Sequence, residues 1–527
     1  MIDAAQWLLT PQERANPRTR IDDTSPDRTA WTDGNLVVPL IDGAAYFADL
    51  HAVVTATRPG DLVLFTDWQG DADQQLTEDP GSDVLSVFGG ADERGVDVRG
   101  LVWRSHLDQT GFFATANRHF GEQLQRRGAE VLLDMRVRTG GSHHQKLVVV
   151  RHRDDSARDV AWIGGIDLAH NRRDDHRHLG DPQCQRLAEE YGETPPWHDV
   201  QVRIQGPAVH AVETVFRERW EDPTPLTRNP IRRAVDLVRR HDTTPDPLPV
   251  QAPPPPAAGP LRVQLLRTYP NLRHGLDYPF ARGGERSVAR GYRKALEQAR
   301  TLVYVEDQYF WGHDVADPFV TALEANPELR VVVVLPMYPD VEGVSRKAEL
   351  LARSRALDRL RELAPDRVAA YGLENTGGTP VYVHAKVCVM DDTWATVGSD
   401  NFNRRSWTHD SELSCVVLDR DYATRLRLRL AAEHLGRLDD SGSQEDVLAT
   451  MSDCVDPLAM YDAYAASAKT LDDWHTGGRA GPRPPGHLRS LPPSAVGAVE
   501  AKALAGMLDR LHDPDGRPAP LSRRNDY

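Results

Sequence analysis

Two segments of this chain, 240 residues apart, carry the same polar triplet on the same kind of supersecondary unit. The first is HHQKLVVV at 143–150 and the second is VHAKVCVM at 383–390. Each has a histidine, one spacer, a lysine and an apolar run. Each run is followed by a second short apolar segment that ends on glycine, WIGGID at 162–167 and TVGSDN at 396–401. On a strand, side chains two apart share a face, so His144 projects with Lys146 and His384 with Lys386. An ammonium on a buried strand face needs an anion, and phosphate meets that need. Asp167 and Asn401 stand directly after the two turns, where a short polar side chain reaches the same place. A single His-x-Lys is a common surface pattern. The duplicated unit predicts two similar halves that bring their triplets together.

The rest of the chain agrees with two halves. Apolar runs such as DLVLFTDW, AEVLLD and DVQVRI, then LRVQLLR, TLVYVED and LRVVVVLP, alternate with amphipathic stretches of helical spacing. This alternation predicts α/β lobes. The stretch TPDPLPVQAPPPPAAGP at 244–260 favours extended polyproline II and offers no core. The expected division is an N-terminal lobe at 1–241, a Pro-rich linker or surface excursion at 242–260, a C-terminal lobe at 261–438, and a partly helical, Pro/Gly-rich extension at 439–527.

Composition narrows the chemistry. The net charge of −15 argues against a partner bound mainly through nucleic-acid phosphates. Cys184, Cys388, Cys415 and Cys454 form no C-x-x-C pair, and Cys388 and Cys415, inside apolar runs, read as buried small hydrophobes in strands. The histidines around RRDDHRH, namely His170, His176 and His178, fit no compact ligand pattern and read as a solvated loop. The N-terminus does not read as a secretory signal, and no apolar stretch is long enough to span a bilayer. The cytoplasm is the expected location. Two imidazoles and two ammonium groups around one phosphate can divide the work of displacement at phosphorus. One imidazole attacks and the other moves the proton of the leaving and entering groups. The scheme requires no metal and no cofactor.

These residues resemble the signature of the phospholipase D superfamily, H-x-K-x4-D followed by G-[GS]-x-[ND]. The second copy matches throughout, with His384, Lys386, Asp391, Gly398, Ser399 and Asn401. The first matches at His144, Lys146, Gly164, Gly165 and Asp167, with Arg151 at the aspartate position and Asp154 or Asp155 as candidates to replace it. PWHDVQVRIQGP, GGIDLAHNRRD, LVYVEDQYF and GSDNFNRRSWTHDSEL are similar to further blocks of the eukaryotic-type branch. The resemblance implies two α/β/α lobes about a pseudo-twofold axis, with one active site at their interface and a covalent phosphohistidine. It makes His144 the nucleophile and His384 the acid. It implies that Glu412 orients the second-motif histidine, and it leaves Asp174 as the candidate to orient His144. Asp391 supports the motif's geometry.

The implied activity is hydrolysis of a phosphatidyl ester at a membrane surface, with water or a small alcohol as acceptor. A cardiolipin synthase-like phosphatidyltransferase, a nucleic-acid phosphodiesterase and a non-enzymatic membrane-binding module are the alternatives. Any contact with lipid would be peripheral. No lipidation motif and no clear basic amphipathic helix stand out. GFF at 111–113 and YFWGHD at 309–314 are the aromatic segments that could meet an interface.

Overall fold

The short apolar runs become strands because they are rich in β-branched residues and bounded by turn formers. In the computed structural model the described residues are 2–24, 29–106, 114–239, 241–272, 277–438, 449–491, 504, 506, 508 and 512–527. The strands of the first half are β1 (Thr32–Ile41), β2 (Leu62–Asp67), β3 (Asp97–Trp103), β4 (Glu130–Asp134), β5 (Leu147–Arg151), β6 (Val160–Gly164), β7 (Trp197–His198) and β8 (Val200–Gln205). Those of the second are β9 (Leu261–Tyr269), β10 (Glu285–Arg286), β11 (Leu302–Glu306), β12 (Arg330–Val334), β13 (Val368–Glu374), β14 (Pro380–Val383), β15 (Val387–Met390), β16 (Trp394–Gly398), β17 (Glu412–Leu418) and β18 (Leu488–Ser490).

Pairing makes two sheets of one plan. The first runs β4-β3-β2-β5-β6-β8-β1. The second runs β13-β12-β11-β15-β16-β17-β9. In each, the first three strands are mutually parallel and the rest antiparallel. The parallel pairs need crossovers, which the helices Val84–Glu93 and Ala114–Arg126 supply in the first half. His313–Ala325 and Gly343–Leu363 do so in the second. β1 pairs with β8 along Leu36–Ile41 and also meets β9 at Thr32 and Asn35, so the two sheets touch edge to edge.

Helices cover the outer face of each sheet. The inner faces meet in one shared core, where Leu64, Val149 and Ile163 of the first sheet join Val332, Val389 and Val397 of the second. The helices Ala208–Trp220 and Arg420–His434, each following the equivalent strand, contribute to that same core. The expected pair of α/β lobes is therefore present. The segment expected to open the N-terminal lobe is not part of it. Ala4, Leu8 and Leu9 pack with Val288 and Tyr292 of the second half. The C-terminal stretch is likewise integral to the second half, since β18 adds to β13. The 439–447 loop and most of the helical pattern at 496–511 lie outside the described residues.

The proline segment is strapped down. Arg151 donates to the carbonyls of Ala252 and Pro253 at 3.0 and 2.7 Å, and Trp220 Nε1 donates to Asp246 O at 2.8 Å. Arg151 also meets Asp159 and Glu213 at 3.2 and 3.3 Å. Its departure from the motif aspartate thus has a structural use. Neither Asp154 nor Asp155 replaces that aspartate; Asp155 caps a short 3-10 turn. Asp391 lies at the far end of β15 from His384, where it accepts from the backbone N–H groups of Arg300, Thr301 and Leu302 at 2.6–3.0 Å. In the first half the bond is reversed, with Asp61 at the strand start accepting from Arg153 N–H at 2.9 Å.

A buried ionic network joins the halves. Arg267 on β9 meets Glu218 of the helix Ala208–Trp220 and Glu285, each at 2.6 Å, and Arg14 meets Glu285 at 3.0 Å. These side chains are all but sealed from solvent. Removing one partner of such a network strands charge where water cannot reach it. Arg267→Leu is expected to cost about 3–5 kcal/mol, read as a lowered urea midpoint relative to the parent protein.

Candidate active site

The two triplets sit at equivalent places, just before β5 and just before β15, and the partner of each histidine comes from the other half. His144 Nδ1 lies 3.1 and 3.0 Å from the two oxygens of Glu412, at the start of β17. His384 Nδ1 lies 2.7 Å from Asp199 Oδ2, directly before β8. The backbone repeats the exchange. His144 N–H donates to Ser411 O at 2.9 Å, and His384 N–H donates to His198 O at 2.7 Å. The two orienting carboxylates therefore occupy equivalent positions on equivalent strands and are swapped across the interface.

This arrangement corrects two expectations. Glu412 orients the first-motif histidine, not the second. Asp174 does not touch His144; its carboxylate accepts from Trp197 N–H at 2.8 Å and so braces the ring packed 4.9 Å from the His384 ring. The orienting group for His384 is Asp199. The glycine turns follow from this. A Cβ on Gly165 would overlap the Asp199 carboxylate, and one on Gly398 would overlap Ser414.

The remaining motif groups gather here. Lys146 Nζ lies 3.3 Å from Asp167 and donates to His144 O at 3.0 Å. It also stands over the Trp68 ring at 5.8 Å. Lys386 donates to His384 O and reaches Gln308 Oε1 at 3.4 Å. Asn401, equivalent to Asp167, is buried with an Oδ1 that no donor among the described residues meets. The halves thus differ in charge, because Lys146 has a carboxylate beside it where Lys386 has an amide. Arg172 lies 3.5 Å from Asp167 and 4.2 Å from the centre of the Trp197 ring, adding a third cation that the motif reading had not singled out.

Burial and the lysines fix the protonation. Burial, then the charges of Lys146 and Lys386, hold His144 well below its ordinary value. Burial, then Lys386, Arg172 and Lys146, do the same for His384. Each imidazole feels the other half's lysine, so the two motifs share one electrostatic field. Both rings are neutral in this state. A neutral imidazole whose Nδ1–H is held by an ionised carboxylate presents the lone pair of Nε2, a state that for His144 requires Glu412 to have lost its proton. Burial also pushes Lys386 down to about 8, against the pull of Asp199 and Asp307. It pushes Glu412 up to about 8, with Asp410 adding to the rise and the Ser399 and Ser406 hydroxyls opposing it. An anion bound here would offset this cationic crowding and raise both imidazoles.

A second buried cluster lies behind His384. His198, whose carbonyl holds the His384 backbone, has Nδ1 at 3.0 Å from both Asp42 and Glu433 and Nε2 at 2.8 Å from Glu306. His178 Nε2 lies 3.3 Å from Glu433, and His434 Nε2 lies 2.8 Å from Glu306. His178 is thus buried, contrary to the expected solvated loop. Glu433 Oε1 lies 3.3 Å from His178 Nε2 and 3.0 Å from His198 Nδ1, and neither it nor the His178 ring nitrogens has hydrogen-bond geometry. The neighbouring carboxylates push His178 up to about 9 against its burial and raise His198 as well, so the cluster is held as an ion network whose protons a divalent cation could displace. Asp42, His178, His198 and Glu433 are the residues that could hold one. A cation there would brace the His198 carbonyl and so position His384. Glu306 belongs to this cluster, whereas Gln308 faces Lys386.

Loss of an orienting carboxylate should be far more costly than loss of the brace. Asp199→Asn and Glu412→Gln are each expected to lower kcat by about 10²–10⁴-fold with the fold intact. Asp174→Asn, which keeps an acceptor for Trp197 N–H, should stay within about tenfold of the parent. Steady-state kinetics on a soluble phosphodiester, with circular dichroism as a folding control, make the comparison.

The family model for phospholipase D matches residues 91–350. That for cardiolipin synthase, PLD-like domain, matches residues 292–432. Phospholipase D alpha 1 of Zea mays is 24% identical over 638 residues, which cover 93% of this chain and 74% of that protein. Phospholipase D alpha 1 of Arabidopsis thaliana is 23% identical over 636 residues, covering 93% and 75%. Among solved structures, phosphatidylserine synthase of Haemophilus influenzae Rd KW20 shares the fold at a TM-score of 0.50 and 14% identity, over 81% of this chain and 94% of that one. With both signature repeats in place and the two family models together running from residue 91 to residue 432, the chain belongs to the phospholipase D superfamily.

Proposed function

We propose that this protein is a phospholipase D-type phosphodiesterase that cleaves a phosphatidyl ester to phosphatidic acid and a free alcohol through a phosphohistidine. The observation that carries the reading is the pair of imidazoles, each with Nδ1 held by a carboxylate of the opposite half and each under the field of the other half's lysine.

The reading assigns attack to His144 Nε2, whose side chain is the more open of the two at 14% against 7% exposed. The Nε2–phosphorus bond forms as the bond from phosphorus to the headgroup oxygen breaks. His384, which takes up a solvent proton on Nε2 as the diester anion enters, gives that proton to the departing oxygen and returns to the neutral ring. Water then enters opposite His144. It loses a proton to His384, the new oxygen–phosphorus bond forms, and the nitrogen–phosphorus bond breaks. Lys146, Lys386, Arg172 and Asn401 offset charge on the phosphoryl oxygens. Asp167 holds Lys146, and Glu412 and Asp199 stabilise each imidazolium as it appears. Asp391 acts only through the hairpin it braces.

A small alcohol can replace water in the second step, so transphosphatidylation belongs to the same mechanism. The match of residues 292–432 to the cardiolipin synthase model favours a second reading, in which an alcohol is the usual acceptor. The products distinguish them. With a phosphatidyl substrate in water the first reading gives mainly phosphatidic acid. The second gives little product until glycerol or phosphatidylglycerol is added.

Two displacements at phosphorus retain configuration, and the intermediate can be intercepted. With ethanol at roughly molar concentration, phosphatidylethanol should appear beside phosphatidic acid, and a chiral thiophosphoryl substrate should give retention. Inversion without an alcohol adduct would remove the covalent step. The pH profile is a separate test. Lys386 must be protonated to receive the anion, and it loses its proton as pH rises through about 8. For a soluble diester, kcat/KM should therefore fall about tenfold per pH unit above that point. A flat profile well beyond it would release Lys386 from phosphate binding.

A further inference from the structure

The helix Pro230–Arg239 is built inside out. At about 100° per residue, Ile231, Ala234, Val235, Leu237 and Val238 fall within an apolar arc of about 160°. In an ordinary surface helix that arc packs on the core. Here it faces solvent: Ile231 is 74% exposed, Leu237 79% and Val238 83%. It is the polar side that holds the helix to the protein. Asp236 is 3% exposed and takes a bidentate pair from Arg104 at 2.6 and 2.7 Å. Arg232 donates to the carbonyls of Ser105 and His106 at 3.3 and 2.6 Å. The outward face is thus held there by two polar clamps, Asp236 buried and Arg232 partly so.

Charge points to what covers it. Residues 228–240 contain five arginines and one acidic residue, Asp236, in a chain whose net charge is −15. Arg233 and Arg239 are exposed beside the apolar arc. An apolar stripe flanked by arginines matches an anionic bilayer surface, where the aliphatic side chains enter the acyl boundary and the guanidinium groups meet phosphates. A second copy of the helix would bring arginine against arginine. The location also fits. Arg104–His106 directly follow the C-terminal end of β3, and His106 Nε2 bonds Gly141 O at 2.8 Å, three residues before His144. The helix therefore sits at the end of the first sheet that carries the first motif. The aromatic segment at 309–314 is a poorer anchor, because Phe310 and Trp311 are buried. GFF at 111–113 lies outside the described residues.

We propose that the helix Pro230–Arg239 is an interfacial anchor that lies in the headgroup layer of an anionic lipid surface and brings the His144 end of the cleft to it. The proposal rests on the phosphatidyl-ester reading only for the source of substrate; binding itself is independent of turnover. The test is co-sedimentation of the full chain with vesicles of phosphatidylcholine alone and of phosphatidylcholine doped with phosphatidylglycerol. The parent should bind the anionic vesicles more tightly, and less so at high salt. Ile231→Ser/Leu237→Ser/Val238→Ser should lower the vesicle partition by roughly tenfold or more. Arg233→Gln/Arg239→Gln should reduce its dependence on anionic lipid and salt. Both variants should keep the parent's turnover of a soluble diester, which also shows that they fold. Equal vesicle binding by parent and triple variant would overturn the anchor. So would a dimer in sedimentation velocity that the triple substitution abolishes, since the face would then belong to a second copy. If no phospholipid is cleaved while the binding differences hold, the functional reading falls and the anchor stands.

Discussion

The contact of His144 Nδ1 with Glu412, and its counterpart between His384 and Asp199, join residues 268 and 185 positions apart. Each motif supplies the ring and the opposite half supplies the carboxylate that sets its tautomer. A half of this chain alone would hold a histidine with no orienting partner and a carboxylate with no histidine. Catalytic geometry is therefore a property of lobe pairing. The buried ionic network of Arg14, Arg267, Glu218 and Glu285 and the shared apolar core maintain it. A buried ion network contributes little net stability over an apolar replacement, but it tolerates few alternative placements of its charges. That suits an interface that must bring two rings to one phosphate.

The same demand explains the departures from symmetry. Asp167 stands beside Lys146 where the second half has Asn401, and burial lowers Lys386 to about 8, so the ammonium of the second motif gives up its proton more readily. Arg151 stands where the second half has Asp391, because the first half must hold a proline strap as well as close a hairpin. The duplicated fold keeps the positions and lets each half adapt the chemistry. The cluster around His198 adds a further dependence, since it fixes the carbonyl that receives the His384 N–H. Charge or cation exchange in that cluster would therefore reach the site through one backbone bond.

Strand-forming runs, the paired His-x-Lys units and the glycine turns were legible in the sequence because each is local. Periodicity reports which face a residue takes, and a repeated triplet reports a shared site. Which carboxylate serves which histidine was not legible in that way. Asp199 and Glu412 occupy the same place relative to β8 and β17, but the first half carries a long insertion between its glycine turn and that strand. Aligning the halves on their strands, and not on their motifs, would have exposed the correspondence. The outward helix at 230–239 escaped for a related reason. Ten residues of amphipathic spacing predict a buried stripe, and only the clamps at Asp236 and Arg232 turn that stripe to solvent.

The sequence by itself determined two α/β halves and the duplicated unit that places His144, Lys146, His384 and Lys386 at equivalent positions. Those follow from backbone periodicity and from the repeated triplet. The tertiary structure alone decided the exchange of Glu412 and Asp199 between halves, the bracing role of Asp174, the burial of His178 and the outward face of the helix Pro230–Arg239. Each depends on contacts between residues far apart in the chain. Spacing within one element carries no information about which surface of another element it will meet.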